Sequence, residues 1–241
     1  MADDTAAPAR ACRSYAGPVK MAPSVRGSLA VRVLSLVLGL FVFAWGIVLI
    51  LESRLGLSPW DVLNQGIARH TPLSFGEANI AVGVTVLVLG WSLGARVGFG
   101  TVANAVLVGG FIDQILRIGA VHRLSHAGLP ARILLDLGGI ALIGPATAFY
   151  IGGGLGAGPR DSLMLVTAAR SGVRIGIVRT ALEGCALVAG FALGGTVGVG
   201  TLAFAVLVGP MIEASFWLLA RSPLARPGAP VPDPATAGLS S

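Results

Sequence analysis

The chain has 241 residues and a formal net charge of +6; 54% of it is hydrophobic and only 12% charged. About a quarter of the residues in a soluble domain are charged, so this composition excludes an ordinary soluble fold. The basic balance does not point to nucleic acid, because no basic cluster is interleaved with aromatics, and Arg-rich cytoplasmic loops give a membrane protein the same balance.

In chain order, residues 1–28 are rich in Ala, Pro, Arg and Ser and lack an apolar core. They read as a disordered cytoplasmic tail rather than a cleavable signal peptide. Long apolar runs follow at about Leu29–Leu51, Phe75–Leu93, Val97–Ile118, Ala131–Ile151, Ile175–Leu193 and Val197–Ala220. Each approaches the ~20 residues that a bilayer core requires of a helix. The expected fold is therefore an all-α, polytopic membrane protein with no cofactor. Residues 221–241 are Pro- and Ala-rich and read as a second disordered tail. The two cysteines, Cys12 and Cys185, are too far apart in kind and place to form a disulfide framework. His122 and His126 lie in a loop, and no metal site is expected.

Shifting the sequence by one hundred brings its halves into line. Residues 56–63, "GLSPWDVL", meet 156–163, "GAGPRDSL", and "GFGTVANAVLVGGFID" meets "GVGTLAFAVLVGPMIE". Arg32 meets Arg132, Gly76 meets Gly176, and Asp113 meets Glu213. Apolar identities alone would be weak, but composition does not explain a recurring Pro-x-Asp and Gly-x-Gly-Thr. The membrane part thus divides into repeats at 29–120 and 131–220. Each holds three spans, with a short helix after the first: "PWDVLNQGIARH" or "PRDSLMLVTAAR". At 1.5 Å per residue these are too short to span, so each re-enters the bilayer or lies at its interface. Three spans per repeat invert the second repeat relative to the first. If the short helices did span, the repeats would be parallel.

Arg and Lys counts favour both termini in the cytoplasm, with Arg160, Arg170, Arg174 and Arg179 on that side and Arg54, Arg69, Arg117 and Arg132 opposite. Trp60 then reads as an interfacial anchor and Arg160 as a cytoplasmic charge.

The recurring motif has two readings. In one, Ser58 is an N-cap, Pro59 the first helical residue and Asp61 the third, with Gly158, Pro159 and Asp161 a weaker version; "SFGE" at 74–77 is a further capping box. In the other, Gly56, Pro59, Gly156, Gly158 and Pro159 mark half-helix starts of the kind that form transporter sites in repeated folds. Their N–H groups, with Arg160, would hold an anion; Asp61 and Asp161 would instead hold a cation or carry a proton. Glu183 lies inside a span and is a site candidate by position. Asp113 and Glu213, toward span ends, and Asn104, as interhelical glue or ligand, complete the candidates. Asp136 is placed to pair with Arg132 at i, i+4.

"LGLSPWDVL", "GFGTVANAVLVGGFID", "GLGAGPRDSLML" and "GVGTLAFAVLVGP" together resemble motifs of the YczE-like bacterial integral membrane proteins, a family similar to the YitT-type group. The resemblance covers Leu29 to Ala220. It implies a multi-pass protein of the bacterial plasma membrane and supplies no catalytic or binding residues.

The function expected from the repeats is transport of a small solute or ion. The alternative is a non-transporting scaffold or accessory partner of another system. An enzyme is not expected, since no Ser/His/Asp set or phosphate loop occurs in the spans. The partners expected are the lipid bilayer and a small solute or ion, with no nucleic acid; a homo-oligomer is compatible with the sequence and not readable from it.

Overall fold

The computed structural model describes residues 24–95, 97–119, 122 and 128–225. Most of both expected tails, together with Cys12, Arg96 and His126, lies outside the described residues. Among those described, regular structure is helical: α1 Leu29–Ser53, α2 Pro59–His70, α3 Phe75–Ser92, α4 Phe99–Ile118, α5 Leu129–Gly152, α6 Pro159–Ser171, α7 Ile175–Ala192 and α8 Val199–Arg221. All but α2 and α6 are long and apolar enough to cross a membrane. The short helices have 12 and 13 residues.

The centre of the molecule is the pair α1 and α5, packed antiparallel along their length. Arg32, at the start of α1, donates to the carbonyls of Gly153 and Gly154 just past the end of α5, both at 2.7 Å. Arg132, at the start of α5, donates to those of Ser53 and Arg54 at the end of α1, at 2.7 and 2.8 Å. These carbonyls have no partner inside their own helices, and a guanidinium fork satisfies two at once. This corrects the expected Arg132–Asp136 pair. Arg132 is drawn to the orphan carbonyls, and buried Asp136 accepts from Ser53 Oγ at 3.3 Å instead.

Around the pair, α4 packs on α1 and α8 on α5, while α2 packs on α7 and α3 on α6. One core cluster joins Leu36, Leu40 and Ile47 to Ile112 and Tyr150; another joins Ile50, Ile140 and Ile143 to Val62 and Val208. α3 and α4 also pack closely together, whereas α7 and α8 barely touch.

The two ends of the described chain lie together. Val25 forms an antiparallel bridge with Ala225, and the Val25 N–H donates to Gly152 O at 2.8 Å. Val25 is buried against this end of the bundle.

Candidate functional site

The loops 54–58 and 154–158 position the site. Gly56 and Gly156 have φ of +133° and +134°, a region open to glycine and strained for other residues. Each loop is pinned to the start of a span in the other half. Leu55 O accepts from Gly200 N at 2.9 Å, and Leu155 O from Gly100 N at 2.8 Å. A Cβ on Gly56 would lie 2.6 Å from Thr201 Oγ1, and one on Gly156 2.7 Å from Thr101 Oγ1. The Gly-x-Gly-Thr motif is therefore a docking surface for the loop that launches each short helix.

The launched helices start at one place. Ser58, Pro59 and Trp60 line the same cavity, of about 310 Å³, as Gly158, Pro159, Arg160 and Asp161. From there the helices diverge. Arg69, near the end of α2, donates to Gly194 O and, at 3.2 Å, to Thr196 Oγ1 in the α7–α8 loop. Arg170, near the end of α6, lies beside Gly94 in the α3–α4 loop. The Arg160 guanidinium stands 5.1 Å above the Trp60 ring, an arrangement stabilised by ~0.5–2 kcal/mol depending on desolvation. The helix starts thus carry the Trp60 and Arg160 side chains to one point at the cavity.

The two starts differ. Ser58 caps α2 by accepting from Asp61 N at 3.3 Å, and its hydroxyl donates to Asp61 Oδ2 at 2.5 Å. Asn64 Nδ2 donates to Asp61 Oδ1 at 3.3 Å. Asp61 is therefore buried against its own helix and does not line the cavity. Gly158 offers α6 no side-chain cap. Asp161 faces the cavity and accepts from Tyr150 Oη at 3.2 Å.

Glu183 and Arg179 line the wall contributed by α7 and pair at 3.0 Å. Asn104 lines it from α4; the interhelical hydrogen bond expected of it is not among those formed by the described residues. Asp113 and Glu213 lie apart from the cavity. Asp113 accepts from Ser74 Oγ at 2.5 Å and from Gly76 N at 2.9 Å, clasping α3 to α4. Glu213 is exposed. Ser74 and Glu77 form the reciprocal capping box that their spacing predicts.

Four polar cavity residues received no site role in the sequence reading: Tyr150, Arg179, Asn79 and Thr147. Asn79 is 5% exposed, and its Nδ2 has no partner among the described residues. A buried amide without a partner is costly, so this donor is available to a ligand. Two of them, Asn79 and Arg179, stand one hundred residues apart in the sequence.

The cavity therefore offers carboxylates, guanidinium groups and an unpaired amide, beside apolar walls that include Phe43, Phe204 and Phe216. Membrane-length helices around such a cavity define a polytopic helical membrane protein. The chain belongs to the family of unknown function DUF6198, which matches residues 30–215. It is 37% identical over 175 residues to an uncharacterized protein of Haemophilus influenzae, covering 73% of this chain and 78% of that one. Its identity to the uncharacterized membrane protein YczE of Bacillus subtilis is 36% over 181 residues, covering 73% and 81%. The uncharacterized protein YyaS of Bacillus subtilis is 26% identical over 186 residues, covering 76% and 92%. No solved structure matches the chain.

Proposed function

We propose that the protein is a carrier for a small polar or charged solute, or an ion, bound between the starts of α2 and α6. The observation that carries this reading is that Ser58–Trp60 and Gly158–Asp161 line one cavity. Discontinuous or short helices that recur in both halves of a fold are where transporters place their sites. Further support comes from the register of the walls. Phe43 and Ile143, Ile47 and Thr147, Asn79 and Arg179, Gly83 and Glu183, Asn104 and Phe204, and Val108 and Val208 all line the cavity in pairs one hundred apart. The reciprocal Arg32 and Arg132 bonds and the antiparallel α1–α5 pair suit two inverted three-span repeats with a site at their interface.

In this reading α2 and α6 are re-entrant from opposite faces. Both chain ends lie on the cytoplasmic face of a bacterial plasma membrane, which agrees with Arg170, Arg174 and Arg221 standing at that end.

The test is uptake into proteoliposomes of the full chain, using radiolabelled amino acids, alkali cations and chloride as probes. A solute is expected whose uptake Arg160→Gln and Asp161→Asn each reduce about tenfold or more, the scale of one lost charged contact, at unchanged protein levels. Uptake at the unsubstituted rate in both variants overturns the assignment. Absence of uptake for every probe, with a stoichiometric protein partner co-purifying, would favour an accessory role.

A further inference from the structure

We infer that Gly176, Gly209 and Glu213 form a second gate of the cavity, standing open here, whose closed form is the packing that Gly76, Gly109 and Asp113 already show. The inference rests on the carrier reading and adds the moving part.

On one side the cavity is shut by α3 and α4. Their closest approach is between Gly76 and Gly109, where a Cβ on either residue would overlap the carbonyl oxygen of the other. Asp113 locks the approach by accepting from Ser74 Oγ and Gly76 N. Asn79 behind this contact is 5% exposed.

The equivalent residues of α7 and α8 are present but apart. A Cβ on Gly176 or on Gly209 would meet nothing within 4 Å. Glu213, the counterpart of Asp113, is exposed and has no hydrogen-bond partner among the described residues. Arg179 and Glu183, which line the cavity from α7, have side chains 52% and 37% exposed. The cavity is therefore accessible between α7 and α8 and closed between α3 and α4.

Packing in a bilayer favours small residues that let backbones approach, and an unused pair of glycines at matching positions has no structural role in the open form. Closing α7 onto α8 would bring Gly176 against Gly209 and the Glu213 carboxylate to the Gly176 N–H. Arg174 stands where the first half has Ser74, so it would face Glu213 across the closed gate.

The experiment uses the full chain in membranes, with Cys12→Ser and Cys185→Ser as background and Arg174→Cys with Glu213→Cys as the reporter pair. A short bifunctional thiol reagent should join the pair within one chain, because their counterparts Ser74 and Asp113 lie 2.5 Å apart through their side-chain oxygens. Adding Gly209→Ala or Gly209→Leu should slow joining about tenfold or more, since an overpacked contact costs ~1–3 kcal/mol. Both variants fill open space in the present form and should fold. Gly110→Leu, also in open space, should leave the rate unchanged. The gate is overturned if no intrachain product forms, if the Gly209 variants react at the unsubstituted rate, or if joining occurs between chains. Because the readout is independent of uptake, a failed gate leaves the carrier reading standing, and failed uptake leaves the gate result intact.

Discussion

Glycines of a single helix, α7, carry very different constraints. At Gly190 a Cβ would overlap Leu63 N and lie 2.5 Å from the Val62 carbonyl carbon, so α7 rides directly on the backbone of α2. Gly190→Ala should lower stability by ~1–3 kcal/mol, read as thermal unfolding in detergent. Gly184→Ala meets nothing within 4 Å and should be neutral or stabilising by up to ~1 kcal/mol from helix propensity. Equal effects at the two positions would show that the α2–α7 contact is looser than described. Ser58 combines two roles, capping α2 and holding the Asp61 carboxylate. Ser58→Ala should therefore exceed the ~0.5–2 kcal/mol of a lost cap, since it also leaves a buried carboxylate oxygen short of a donor. A loss below 0.5 kcal/mol would contradict that geometry.

At the scale of elements, the α3–α4 clasp depends on one carboxylate serving a hydroxyl and an N–H. Asp113→Ala should cost ~1–3 kcal/mol and raise the reactivity of a cysteine at Asn79 toward an impermeant thiol reagent. Glu213→Ala should leave stability unchanged in this form. Much at this scale was legible in the sequence. Apolar run length set the six long helices to within a few residues, and Ser58, Pro59 and Ser74 marked helix starts because capping is local chemistry. What escaped was the meeting of distant elements. A single sequence does not say where two short helices begin relative to each other, so nothing in it joins Trp60 to Arg160, which meet at the cavity. Asn79 was missed for the same reason, since its meaning lies in what surrounds it. The separation of α7 from α8 was illegible because Gly176 and Gly209 have the same spacing as Gly76 and Gly109, so the sequence does not distinguish the pair that meets from the pair that does not.

For the whole molecule, the Val25–Ala225 bridge holds the two ends of the described chain together. Cysteines replacing Arg26 and Leu224 should react with an impermeant reagent from the same side of sealed vesicles. Reaction from opposite sides would exclude an even number of crossings. The central pair explains why such a chain holds together with little charge to spend. α1 and α5 approach so closely that a Cβ on Gly39 would stand 2.7 Å from Tyr150 N, and one on Gly139 2.6 Å from Gly46 O.

The adjacency of Val25 and Ala225 has a consequence for how the order of the halves matters. A short linker between them, with the chain opened between Gly119 and Gly128, would give a circular permutant in which the second half is synthesised first. Permutation is tolerated where ends are close and exposed, so the finished fold should accept either order. Insertion into the bilayer would instead meet the same helices in a different order, with their packing contacts unchanged. Comparing the folded yield of the permutant with that of the natural order would separate what the bilayer-embedded structure demands from what its biogenesis demands.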